Sequence, residues 1–247
     1  MKLVLFLVFA FNTLLSFAQS SNAINIWNKH LNPVYGFHLP SNVHATVENK
    51  YFIKEFNNKT FCADFKTKKG RISTTLSQQG NKYYSRNISS IGFAKELSPA
   101  FQLGLSINYG YFQQMEFNQN PKIVFPTFGL KYSLSELNQV YSSITKKWQG
   151  KTKWGLPNSI LLLWNHKVSN NSTLTLGTNS MINKMEISGS YNYSWKKLMI
   201  LSLEINSSSN PIKTSFHLNL NSLIIHYESS YHQQLGLSSK IGIGYLW

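Results

Sequence analysis

Apolar and polar side chains alternate with a period of two along almost the whole chain, and no helical period competes with that pattern. In FQLGLSINYGY, Phe101, Leu103, Leu105, Ile107, Tyr109 and Tyr111 share one face, while Gln102, Gly104, Ser106, Asn108 and Gly110 share the other. MEISGSYNYSW sets Met185, Ile187, Tyr191, Tyr193 and Trp195 against Glu186, Ser188, Ser190, Asn192 and Ser194. The final segment sets Leu237, Ile241, Ile243, Tyr245 and Trp247 against Ser238, Lys240, Gly242 and Gly244. Extended over the chain, the pattern predicts fourteen strands, near 44–56, 59–67, 71–79, 85–97, 101–114, 123–134, 137–147, 158–168, 172–181, 184–195, 197–207, 211–220, 222–232 and 236–247.

The two faces identify the solvents they were built for. One is large and apolar, with aromatics at the strand ends; the other is small, polar and mostly uncharged. A soluble β-sandwich would turn its polar face to bulk water and populate it with charges, yet only 13% of these residues are charged and 14% are aromatic. A crowded wet interior enclosed by an apolar exterior is the pattern of a closed antiparallel transmembrane β-barrel. The connections agree with it. If the first strand runs outward, the compact turns TKKG, ELSPA, LSELNQ, VSNNS, SWKK and LNS fall on the periplasmic side, and QQGNKYYSR, QQMEFNQNP and KKWQGKTKWGLPN fall outside.

MKLVLFLVFAFNTLLSFAQS reads as a secretory signal over 1–18, with cleavage expected after Ala18. Residues 19–43 then form a periplasmic or lumenal segment, and 44–247 the barrel, placed in the outer membrane of a Gram-negative bacterium. Cys62 is the only cysteine, which excludes a disulfide scaffold. The net charge of +15 suits anionic lipid headgroups, and export argues against nucleic acid as a partner.

The last residues resemble the terminal assembly signal of outer-membrane proteins, with Lys240, Gly242, Tyr245 and Trp247 in its places. That resemblance implies recognition by the barrel-assembly machinery during insertion. ENKYFIKEF, FAKELSPAFQLGLSINYGYF and SSYHQQLGLSSKIGIGYLW are similar to Bacteroidota outer-membrane barrels related to the PorV and PorQ proteins of type IX secretion, and more remotely to FadL fatty-acid transporters. Members of this group usually carry a longer small-residue segment with an Asn-Pro-Ala-like motif that can enter the barrel. Here only NKHLNPVYGFHLPSN, with Asn32-Pro33, stands in that place, which argues against borrowing a plug mechanism.

Two residue groups carry candidate chemistry. Lys146, Lys147, Lys151 and Lys153 surround Trp148 and Trp154 in one loop, a set able to grip lipopolysaccharide phosphates or an acidic partner, or simply an exposed loop beside an aromatic girdle. Glu186, Glu204, His226, Glu228 and His232 face the lumen by parity, with Ser230. His226, Glu228 and Ser230 lie at alternate positions, but side chains two apart on a strand are about 6–7 Å apart, too far for a nucleophile–base hydrogen bond. An acyl hydrolase is therefore the minor reading, with no catalytic residue assigned. No cofactor is implied: GxSxG, P-loop and CxxC motifs are absent. No metal is implied either, since His30, His38 and His44 lack ligand spacing and Cys62 has no nearby histidine in sequence. The resemblance implies a non-enzymatic component of a secretion-like machine, with secretion proteins as partners. The alternative is a FadL-like transporter or channel for hydrophobic or small polar solutes.

Overall fold

The computed structural model describes residues 27, 31–53, 56–81, 83–114, 120–146, 158–181, 184–196, 198–208 and 210–247. Fourteen strands form one closed antiparallel barrel: β1 Asn42–Asn49, β2 Asn58–Thr67, β3 Gly70–Gly80, β4 Tyr84–Ser98, β5 Phe101–Gln114, β6 Lys122–Ser133, β7 Asn138–Thr145, β8 Ser159–Lys167, β9 Ser172–Met181, β10 Lys184–Trp195, β11 Met199–Asn206, β12 Ile212–Leu220, β13 Leu223–His232 and β14 Gly236–Leu246. Each strand pairs with its sequence neighbours. Closure comes from β1 against β14, in register from Asn42↔Leu246 to Asn49↔Ser239.

The alternation falls as the sequence demands. Ile91, Leu105, Ile107, Phe128, Ile187, Leu203 and Ile243 point outward and are exposed, forming an apolar belt. Gln102, Ser106, Asn108, Thr127, Asn192 and His226 point inward and are buried. One difference lies in the first strand. It ends at Asn49, well short of residue 56, because Tyr51 and Phe52 both adopt left-handed backbone conformations (φ 58° and 55°) that coil the chain out of the sheet. The Tyr51 N–H donates to Ser238 Oγ at 3.1 Å, and its ring meets His232 edge-on at 5.2 Å.

At the short-turn end, Phe65, Tyr132, Trp164, Trp195, Tyr245 and Trp247 point outward as an aromatic girdle. Trp247 meets Phe65 at 6.0 Å and stacks with Tyr245 at 6.2 Å. Its backbone N–H donates to Ser41 O at 3.0 Å, tying the last residue to the start of β1.

Ile91, midway along β4 and 61% exposed, tests the belt. Ile91→Arg is expected to destabilise the barrel by about 2–4 kcal/mol in a urea titration of folding into lipid vesicles. Asparagine at its inward neighbour Ser90 should change little in the same titration.

Candidate functional site

The lumen is occupied by the chain's own N-terminal segment. Asn32, fully buried, donates from Nδ2 to Ser142 O at 3.0 Å, and its Oδ1 accepts the Val34 N–H at 3.1 Å. Ser143 Oγ donates to Leu31 O at 2.7 Å. Glycines open the wall for the next residue. A Cβ on Gly104 would meet Pro33 at 2.9 Å, and one on Gly129 would collide with both Asn32 Oδ1 and Pro33. Val34 and Tyr35 pack with Ala94 and Tyr141. The sequence argues against borrowing a plug mechanism, yet the short segment lies within the lumen, against β4, β5, β6 and β7.

Its exit is held by charge. Arg71 on β3 and Asp64 on β2 form a buried ion pair, Nε to Oδ1 2.6 Å, each side chain only 1% exposed. The remaining guanidinium donors meet backbone carbonyls of the segment: Nη1 donates to Phe37 O at 3.0 Å and to Leu39 O, and Nη2 donates to Pro40 O at 2.7 Å. Alongside, Gln102 Nε2 donates to His38 Nε2 at 2.6 Å and to Glu96 at 3.1 Å. Burial and then Lys131 hold His38 below the usual histidine range, with Glu96 opposing, so its Nε2 is an acceptor at neutral pH.

The other anchor is Trp27. Its Nε1 donates to His217 Nδ1 at 3.0 Å, and its ring stacks on His226 at 4.9 Å and meets His44 edge-on at 4.9 Å. Gly242 makes room for it, since a Cβ there would lie 2.7 Å from the indole. Because His217 Nδ1 accepts, its Nε2 carries the proton and donates to Ser215 Oγ at 3.5 Å. That tautomer cannot act as a base towards Ser215.

Above the segment lies a cavity of about 340 Å³, floored by Trp27, Leu31 and Tyr35 and extending to the long-loop end at Asn206, Ser208 and Asn210. Glu186, Glu204, His226 and Glu228 all line it. Lys213 Nζ lies 3.6 Å from Glu204 and 3.8 Å from Glu228, and Lys184 pairs with Glu186 at 2.8 Å. His232 stands apart at the end of β13, where its Nδ1 accepts the Gln234 and Leu235 N–H groups at 3.1 Å. Lys240 and Gly242 face inward, Tyr245 and Trp247 outward. Of the lysine–tryptophan loop only Lys146 is described, exposed, with its N–H on Pro126 O at 3.2 Å; Lys147, Trp148, Lys151, Lys153 and Trp154 lie outside the described residues.

Sequence reasoning missed Trp27, Asp64, Arg71 and His217. For the ion pair a signal existed: both residues face inward by parity on strands joined by the short TKKG turn. The carbonyls that Arg71 holds carry no sequence mark.

No protein-family model and no curated protein matches the chain. Solved structures do match. A CymD monoaromatic hydrocarbon channel aligns over 90% of this chain and 94% of its own, at TM-score 0.68 and 8% identity. The Ralstonia pickettii toluene transporter TbuX aligns over 84% and 88%, at TM-score 0.61 and 4% identity. The Acinetobacter baumannii outer membrane protein Omp33 aligns over 85% and 98%, at TM-score 0.57 and 7% identity. At such identities the likeness is one of fold, the fold of outer-membrane barrels that include channels and transporters.

Arg71→Ala removes the ion pair from buried Asp64 and frees three carbonyls, an expected cost of about 3–5 kcal/mol. Residues 31–41 should then become protease-sensitive while the barrel keeps its heat-modifiable mobility on gels. Gly129→Val should do the same by excluding Asn32 and Pro33. A pH effect follows from His38. Its folded pKa is the lower one, so its contribution is complete above the unfolded value of about 6.5 and is lost as the pH falls below that towards the folded value. Amide exchange over 37–39, corrected for the intrinsic pH dependence, should therefore accelerate in mild acid.

Proposed function

We propose that this chain is an outer-membrane channel or transporter that passes a small solute through its lumen, with the N-terminal segment as the closure. The observation that carries the reading is the cavity above Trp27, Leu31 and Tyr35, solute-sized and continuous with the long-loop end. A solute entering there meets the segment and goes further only if the segment shifts. The contacts holding that segment are discrete and polar at both ends, at His217 and at Arg71, which suits a closure that can be displaced. The likeness to CymD and TbuX supports the channel reading over a secretion accessory, for which the PorV and PorQ resemblance is the sole support.

In this reading the short-turn end faces the periplasm, residues 1–18 are an export signal, and the basic turns meet anionic headgroups. Lys240, Gly242, Tyr245 and Trp247 are read by the assembly machinery during insertion. The lysine–tryptophan loop faces lipopolysaccharide.

The test is solute flux in liposomes carrying the purified barrel. Arg71→Ala should raise the rate by about tenfold or more, since releasing the closure enlarges the conducting population. Equal, negligible flux from both forms would sink the channel reading. Purification of the native protein with a stoichiometric secretion protein, together with no flux, would restore the subunit reading.

A further inference from the structure

The cavity above the segment has a charge character opposite to that of the chain. The protein carries 24 lysines and arginines against 9 acidic residues, yet the cavity is lined by three carboxylates, Glu186, Glu204 and Glu228, against a single lysine, Lys213, and the histidines His217 and His226. A lining that merely sampled the composition would be basic. Glu186 is paired with Lys184 at 2.8 Å, whereas Glu204 and Glu228 share one cation, Lys213, at 3.6 and 3.8 Å.

A second, independent observation points the same way. Among the described residues, Asn165 Oδ1 and the Tyr35 hydroxyl are buried polar atoms without a hydrogen-bond partner. Asn165 is 6% and Tyr35 2% exposed, and both line this cavity. Buried polar atoms ordinarily find partners, and Asn165 Oδ1 can only accept. Asn165 therefore offers an acceptor to a ligand that brings a donor, while the Tyr35 hydroxyl can donate or accept. The cavity's apolar side is equally defined, with Leu31, Leu161 and Leu163 facing the acidic wall.

We propose that this cavity is a binding site for a small organic cation, with an ammonium held by Glu204 and Glu228 and an apolar body against Leu31, Leu161 and Leu163, where Asn165 Oδ1 on the same wall accepts from a donor on that body. Lys213 stands between the carboxylates and is displaced towards solvent when the ligand ammonium arrives. The inference rests on the channel reading for its purpose, but binding is measurable without transport.

Three probes share a phenyl body and differ in head charge: phenethylamine, 2-phenylethanol and phenylacetate. Binding to the full barrel in detergent is measured by calorimetry, and uptake of the same probes by liposomes carrying the barrel is measured separately. Phenethylamine should bind about 10- to 100-fold more tightly than either analogue, the worth of one or two charged hydrogen bonds. Glu204→Gln and Glu228→Gln should each erase most of that preference, and Lys213→Met should strengthen phenethylamine binding. Heat-modifiable gel mobility confirms that each variant is folded. Equal binding of the three probes, tighter binding of the alcohol or the acid, or no binding at all would overturn the cation site. So would a preference unchanged in folded Glu204→Gln and Glu228→Gln proteins. Selective binding without flux would leave the cation site standing and remove the channel; flux without selective binding would do the reverse.

Discussion

A chain crossing hydrocarbon must satisfy every backbone N–H and C=O from within itself, and in this protein the β1–β14 seam meets that demand. Without the ladder from Asn42↔Leu246 to Asn49↔Ser239, two strand edges would face lipid unpaired. Closure fixes the rest. It makes one face of every strand an exterior and the other an interior, so a slip of one residue would turn the belt inward. It also creates an enclosed lumen, and what fills that lumen decides what the barrel can do.

The lumen is filled unevenly. Towards the short-turn end the N-terminal segment is packed with the care of a soluble core, using Asn32 between strands, Pro33 over two glycines, and Arg71 gathering carbonyls. Towards the long-loop end the side chains shorten to Ser, Thr and Asn and leave a cavity. The buried Arg71–Asp64 pair fits this division. A buried ion pair contributes little net stability compared with an apolar substitute, but its remaining donors define one position for the segment.

The barrel was legible from periodicity because each strand repeats one rule, and the strand positions follow it closely. It failed at β1, where Tyr51 and Phe52 take left-handed conformations that their side chains do not favour. The segment within the lumen has no period to read. Its anchor points are backbone carbonyls and a receptor for Trp27 gathered from four strands, neither of which leaves a local pattern. Parity placed Glu186, Glu204, His226 and Glu228 on the lumen side, where the cavity gathers them. His232 shares that parity, but it sits at a strand end and caps a turn instead. Asn165 could not be singled out among so many asparagines.

The receptor for Trp27 also carries information about time. His44 comes from the first strand, His217 and His226 from the twelfth and thirteenth, and the space beside Gly242 from the last. The indole has no complete seat until the two ends of the chain have met. Seating of Trp27 is therefore a late event, and a docked indole certifies that the cylinder has already closed. A barrel stalled one strand short would hold residues 31–41 but leave the indole unseated.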